Sequence, residues 1–297
     1  TDELVDHFTY VIASDGDLME GISHEACALA GHLKLARLIV LYDDNGISID
    51  GPTSLSYSDD VRKRFEAYGW NVQEIDGHDT AQIDAAIGIA QAFDTPSIIC
   101  CKTHIGYGAP TKQDKASSHG SPLGENEIKG AREKLGWSHL PFVIPENILQ
   151  MWRIAGERNH GDYNSWMKRL GDNRIKNDFL KTMDADVGNQ IFPIIMELKE
   201  TFAREKPKLA TRQTSGKVLE KLIPALPSLI GGSADLTGSV NTKIDGPEAI
   251  SAGNNYNGQY IYYGVREHGM AAIMNGMALH GGVIPYGGTF LVFTDYC

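Results

Sequence analysis

Asp15-Gly16-Asp17 directly follows a short β-type run, and Asn45 directly follows the next one, thirty residues later. Two parallel strands end at one edge of their sheet, which is where open α/β sheets bind ligands. The Asp15 carboxylate, the Asn45 amide oxygen and a free backbone carbonyl converging there would make an oxygen-rich, octahedral cradle. Such a cradle suits Mg2+ or Ca2+ bridging a diphosphate. The helix beginning near Gly21 would turn its positive end to the same edge. Turn chemistry is the competing reading, because Asn45-Gly46 between apolar runs signals a hairpin and Asp15-Gly16 suits a tight turn. Three other signatures fail. His24-Glu25 lacks the second histidine of a zinc-protease helix, since Ala28 stands there, and Gly16 to Gly21 lacks the P-loop lysine. Gly106-Tyr107-Gly108 cannot complete a dinucleotide fingerprint, because Thr111 takes the last glycine's place.

The elements that must position these residues follow from periodicity. Residues 8–13, 38–42, 70–75 and 97–102 read as strands, and 23–35, 59–68 and 80–93 as helices. That alternation implies βαβ crossovers and a mainly parallel sheet covered on both faces, a doubly wound α/β domain. Residues 104–124, rich in Gly, Ser and Lys, form a loop too long for a mere connector. From about 145 to 208 the chain is helical and polar, a tether over a surface. A second α/β unit then begins, with strands at 228–231, 260–263 and 283–286 and helices at 214–222 and 266–279. The domains expected are therefore 1–144, a helical linker over 145–210, and 211–297.

Composition narrows the function classes. Lys and Arg number 27 against 38 Asp and Glu, a net charge of −11 across 297 residues. Without a basic cluster, that charge repels nucleic acid and anionic membranes. The apolar run 38–42 is far short of the roughly 18 residues a membrane span needs. Cys27, Cys100, Cys101 and Cys297 form no C-x-x-C pair, which fits a reduced, cytoplasmic setting.

The string Asp15-Gly16-Asp17-Leu18-Met19-Glu20-Gly21-Ile22-Ser23-His24-Glu25, followed by Tyr42-Asp43-Asp44-Asn45-Gly46-Ile47, resembles the transketolase family of thiamine-diphosphate enzymes. The likeness continues through Ile75-Asp76-Gly77-His78-Asp79, Lys102-Thr103-His104-Ile105-Gly106-Tyr107-Gly108 and Ser118-His119-Gly120. It resumes at Gly231-Gly232-Ser233-Ala234-Asp235 and Tyr263-Gly264-Val265-Arg266-Glu267-His268-Gly269-Met270. The implied fold is two thiamine-diphosphate-binding-type domains, both incomplete. The resemblance implies that Asp15, Asn45 and the carbonyl of Ile47 hold Mg2+ or Ca2+, and that Gly16 lets the chain approach the diphosphate. Ser14 stands where the family usually has glycine, and its Cβ would tighten the turn or weaken cofactor affinity.

Glu267 resembles the glutamate that shares a proton with the cofactor's aminopyrimidine ring, and Phe290, Phe293 and Tyr296 resemble the aromatic pocket around that ring. Their spacing of three puts the aromatics on one helical face. Taken alone, Glu267 reads as a first-turn helix carboxylate and the aromatics as plain core. His119 resembles a histidine near the diphosphate and the reacting carbons, and Ile105 and Asp235 resemble cofactor-side positions. Arg212 and Ser239 match positions that bind a sugar phosphate. Glu20 and Glu25 fall where the family links two active sites, or else are helix-start acids.

The implied reaction is transfer of a two-carbon ketol unit from a ketose phosphate to an aldose phosphate, as in the pentose phosphate pathway. The implied assembly is a homodimer with its active site at the subunit interface. A dihydroxyacetone-synthase-type enzyme shares nearly all these motifs, and a non-catalytic cofactor-binding module is the third reading. The sequence covers less than half of a typical member, so the chain alone is expected to be inactive and to leave apolar surface and sheet edges uncovered.

Overall fold

The computed structural model of the chain describes residues 4–184, 187–252 and 256–297. Contacts divide it into two compact units, Thr1–Glu20 with Leu35–Asn173 and Gly21–Lys34 with Arg174–Cys297. The first unit is built on a wholly parallel sheet of β1 (Thr9–Ser14), β2 (Leu38–Asp44), β3 (Asn71–Asp76) and β4 (Ser97–Lys102), in the order β1-β2-β4-β3. The central strands β2 and β4 carry near-continuous apolar runs because helices cover both their faces. The helices here are α1 (Asp15–Met19) and, beyond α2 (Gly21–His32), α3 (Val61–Ala67), α4 (Thr80–Ala92) and α5 (Glu125–Lys134). The alanines Ala86 and Ala90 of α4 let it lie close on Ile39, Ile99 and Cys101. Strand register gives Tyr42, Glu74 and Cys100 the opposite face, where with Val61 of α3 they line one cleft. There Phe65 is fully buried, edge-on to Trp70 with ring centroids 5.0 Å apart. β1 is an edge strand whose Ile12 is 83% exposed.

Capping shows how local chemistry fixes the boundaries. The Asp79 carboxylate accepts the N–H groups of Ala81 (2.9 Å) and Gln82 (3.2 Å), starting α4 at Thr80. These hydrogen bonds, those from Gln82 first, hold the Asp79 carboxyl below the usual carboxylate range. Its contribution to stability is therefore present above the unfolded-state pKa of about 3.9 and fades as pH falls through the lower folded-state value. Asp79→Ala is expected to lower the urea midpoint at neutral pH, with a gap from wild type that narrows on acidification; a gap that widens instead contradicts this.

The chain continues through α6 (Glu146–Glu157) and α7 (His160–Asp172). These are polar surface helices, and Trp152 and Ile154 are exposed. In the second unit, α8 (Lys176–Met183), α9 (Gly188–Glu205) and α10 (Thr211–Ala225) precede β5 (Leu229–Ser233), α11 (Thr237–Val240), β6 (Tyr260–Tyr262), α12 (Glu267–His280) and β7 (Ile284–Pro285). The sheet is parallel, in the order β6-β5-β7. Gly231 and Gly232 keep β5 bare for packing, since a Cβ there would fall 2.0 Å from the Tyr286 ring and 2.2 Å from that of Tyr263. α2 packs in this unit: Leu29 joins Ala234, Ile261, Tyr263 and Met270 in one cluster, and Glu25 accepts the Gly269 N–H of α12 at 2.7 Å. Among the described residues no helix is long and apolar enough to cross a membrane.

Candidate functional site

In the first unit the end of the sheet brings Asp15 to the Asn45-Gly46-Ile47 turn. Ser14 pairs with Asp43 in the β1–β2 ladder, so Asp15 and Asn45 both lie just past the C-terminal ends of adjacent parallel strands. Asp15 is 4% exposed. Its Oδ1 accepts the Tyr42 hydroxyl at 2.5 Å and its Oδ2 the Gly46 N–H at 3.0 Å. Burial pushes the Asp15 carboxyl above its ordinary range, against the opposing pull of those hydrogen bonds. Burial, and then the contact with Asp15, likewise raise the Tyr42 phenol. Among the described residues no basic side chain forms an ion pair with Asp15, and the nearby Lys102 ammonium is 3.3 Å from Asp44 instead.

The hairpin reading of Asn45-Gly46 is overturned, because β2 runs parallel to both neighbours. Gly46 instead adopts φ +70° and opens a loop closed by Thr53 N–H to Gly46 O (2.9 Å) and Ser48 N–H to Gly51 O (2.7 Å). Those two bonds flank the Ile47–Pro52 bridge, so Ile47 sits at a non-hydrogen-bonded position and its own N–H and C=O face away from Pro52. The Ile47 N–H donates to Asn45 Oδ1 at 2.9 Å.

α1 corrects the expectation of a bare turn at Asp15-Gly16-Asp17. The Asp17 carboxylate accepts both the N–H and the hydroxyl of Ser14, each at 2.8 Å, and closes one helical turn. Ser14 is extended (φ −109°, ψ 178°), a conformation any residue adopts, so its Cβ introduces no backbone strain and its hydroxyl tightens the turn. Gly16 has no packing reason to be glycine, since a Cβ there meets nothing within 4 Å. Glycine in a helical turn costs about 0.5–1 kcal/mol relative to alanine, and open space beside it suits the close approach of a ligand.

Ile105 and His119 share the long loop after β4. The loop folds back on itself, with Ser118 Oγ donating to Lys112 O at 2.5 Å and Asp114 N–H to Ile105 O at 3.0 Å. The Lys112 ammonium reaches Leu123 O at 2.9 Å. His119 is exposed and ends a 3₁₀ turn, Ala116–Ser118.

In the second unit the expected residues other than Arg212 again follow parallel strands in the chain. Ser233, fully buried, donates to Gly288 O (2.9 Å) and accepts the Leu236 N–H (3.1 Å), which presents Asp235 at φ +59°. Asp235 is exposed. Glu267 is 8% exposed and opens α12. Phe290, Phe293 and Tyr296 are not core: Phe290 is 39% and Tyr296 58% exposed. Phe290 caps a 3₁₀ helix, Leu291–Tyr296, whose three-residue turn sets Phe290 tilted to Phe293 at a centroid spacing of 5.7 Å and stacks Phe293 on Tyr296 at 5.8 Å. Cys297 Sγ, 3.6 Å from Glu267 O, ties this ladder to the start of α12. Arg212 and Ser239 are exposed on α10 and α11, which meet where Gly216 packs on Asn241. Sequence reading passed over Tyr42. Its signal was a phenol inside an apolar strand, since a buried hydroxyl must find a partner.

The chain is similar to known proteins along its whole length. Residues 1–189 match the family described as transketolase, thiamine diphosphate binding domain, and residues 207–297 match transketolase, pyrimidine binding domain. Transketolase from Cereibacter sphaeroides is 50% identical over 296 residues, covering 100% of this chain and 45% of that protein. The Sinorhizobium medicae transketolase is 47% identical, covering 99% of this chain and 42% of its own length. The structure of transketolase from Leishmania mexicana superposes with a TM-score of 0.88 at 35% identity, over 99% of this chain and 44% of that one. A Pichia stipitis transketolase in complex with sedoheptulose 7-phosphate gives 0.83 at 36% identity, over 97% and 44%. The chain thus spans less than half the length of these relatives. With residues 1–189 and 207–297 matching its two domain models and transketolases matching along the whole sequence, the chain belongs to the transketolase family.

Proposed function

We propose that this chain is the cofactor-binding part of a transketolase that moves a two-carbon ketol unit from a ketose phosphate to an aldose phosphate in the pentose phosphate pathway. Asp15 carries the reading. A carboxylate this buried, aimed at Asn45-Gly46-Ile47 and lacking a basic partner among the described residues, calls for a cation. Asp15, the Asn45 amide oxygen and the outward-facing Ile47 carbonyl form an all-oxygen set suited to Mg2+ or Ca2+. The cleft of about 300 Å³ beside Asp15 and Tyr42 is lined by more carboxylates than cations, which favours a diphosphate only if a divalent metal accompanies it. Gly16, Ile105 and His119 complete the diphosphate side of the proposal; Asp235, Glu267, Phe290, Phe293 and Tyr296 form the pyrimidine side; Arg212 and Ser239 bind the sugar phosphate. The proposed domain limits are 1–144 and 211–297, joined by the helical segment 145–210.

When bound, thiamine diphosphate supplies a nucleophilic carbon and stabilises the negative charge left on the transferred fragment. The chain's own groups bind and orient it. Asp15 and Asn45 fix the metal that neutralises the diphosphate, the stacked aromatics exclude water from the pyrimidine, and Glu267 holds a proton at the ring nitrogen. The Pichia stipitis sugar-phosphate complex supports phosphorylated sugars as substrates. The proposal includes a homodimer with the active site at its interface and a cytoplasmic location, which the reduced thiols of Cys100, Cys101 and Cys297 favour.

The test is an acceptor comparison in the full-length protein that carries this segment. Ribose phosphate is expected to accept the two-carbon unit far better than formaldehyde. A preference for formaldehyde would establish the dihydroxyacetone-synthase type, and metal-dependent cofactor binding without transfer to either acceptor would leave a non-catalytic binding module.

A further inference from the structure

We infer that Tyr42 is a positioning residue for the metal site, its hydroxyl holding the Asp15 carboxylate in the orientation that faces the Asn45–Ile47 turn; this rests on the metal set proposed above. The terminal torsion of an aspartate is broad, so a carboxylate that must meet a cation in fixed geometry needs external restraint. Asp15 has two restraints, one on each oxygen: Tyr42 Oη at 2.5 Å and Gly46 N–H at 3.0 Å. Each oxygen keeps a further lone pair for another partner. The two donors are not equivalent. Gly46 belongs to the turn that carries Asn45 and Ile47, so its N–H moves with the other two ligands. Tyr42 belongs to the sheet, where β2 is hydrogen-bonded on both sides with Ala13 and Cys100 as register partners. Its ring is 4% exposed, and the bond to Asp15 spans twenty-seven residues. The hydroxyl is therefore the link that refers the carboxylate to the rigid part of the unit, and the Gly46 N–H refers it to the loop.

The bland account is a buried phenol that needs an acceptor and finds one in Asp15. The two accounts differ in what Tyr42→Phe does to metal dependence. The variant keeps the ring and removes one oxygen; a denaturant midpoint checks that the fold is retained. Thiamine diphosphate binding to the full-length protein is then followed by calorimetry across a series of Mg2+ concentrations, without reference to turnover. Positioning predicts that Tyr42→Phe needs about 10–100-fold more Mg2+ for half-maximal cofactor binding, the usual effect of removing an outer partner of a metal ligand. It also predicts that excess Mg2+ restores the wild-type cofactor affinity. An unchanged Mg2+ midpoint, or a loss of cofactor affinity that excess metal does not repair, overturns the inference while the proposed function stands. Cofactor binding by the unsubstituted protein that is absent, or indifferent to Mg2+, overturns the metal set and the inference with it.

Discussion

Asp15→Ala is expected to abolish metal-dependent binding of thiamine diphosphate, raising the apparent dissociation constant by at least about 100-fold. Outer partners of metal ligands are already worth 10–100-fold, and Asp15 is the single carboxylate in the proposed set, so its removal takes away the only formal charge the proposed protein ligands offer the cation. The variant also identifies why the residue is there. Because burial raises the Asp15 carboxyl, its titration stabilises the metal-free fold fully below the unfolded-state pKa of about 3.9, and that contribution is lost as pH rises through the higher folded-state value. At neutral pH the ionised side chain thus stands against the metal-free fold, and a bound cation reverses the balance. Asp15→Asn keeps an acceptor for Tyr42 but no charge, so it is expected to retain the fold and still lose metal dependence. Calorimetry with and without Mg2+ checks both variants; wild-type metal dependence in either contradicts the assignment.

Glu267→Ala is expected to act differently. Loss of a positioned acid–base group costs about 10²–10⁴ in rate, so kcat of the full-length enzyme should fall by that range. The Mg2+ dependence of cofactor binding should change little, because Glu267 is not among the proposed metal ligands Asp15, Asn45 and Ile47. Steady-state kinetics at saturating cofactor, read beside the binding titration, separate the two effects. A variant with normal kcat and weakened binding would make Glu267 a binding residue and remove it from the proton chemistry.

How far the sequence could be read depended on what each element rests upon. The β4 strand and α4 helix were legible almost to the residue, as 97–102 against Ser97–Lys102 and 80–93 against Thr80–Ala92, because apolar continuity and the Asp79 cap are local signals. α1 was not legible. Its single turn is closed by Asp17 reaching back to Ser14, whereas Gly16 in its middle argues against helix. α5 was passed over because its first and last turns are charged and none of its residues is buried, which leaves little apolar periodicity to read. The place of α2 in the second unit could not be inferred from adjacency, since its defining contact joins Glu25 to Gly269 across 244 residues.

The site was legible unevenly for the same reason. The pairing of Asp15 with Asn45 followed from parallel strands ending at one edge, which is chemistry plus topology. Glu267 and the aromatic trio were singled out only by family resemblance, since a first-turn glutamate and a three-residue aromatic spacing are both ordinary. Exposure of Phe290 and Tyr296 argues against the core reading of those rings. Tyr42 was overlooked because its hydrogen bond to Asp15 joins β2 to the start of α1, which periodicity does not record.

The central claim is that Asp15, Asn45 and the Ile47 carbonyl jointly hold a divalent metal on the cofactor's diphosphate. The most direct test is a crystal of the full-length protein grown with thiamine diphosphate and Mn2+, with data collected at the manganese edge. The account predicts one strong anomalous peak at coordination distance from all three oxygens, about 2.0–2.3 Å, and from the diphosphate. Ordered cofactor with no anomalous peak at these residues, or a peak held by other side chains, would contradict it.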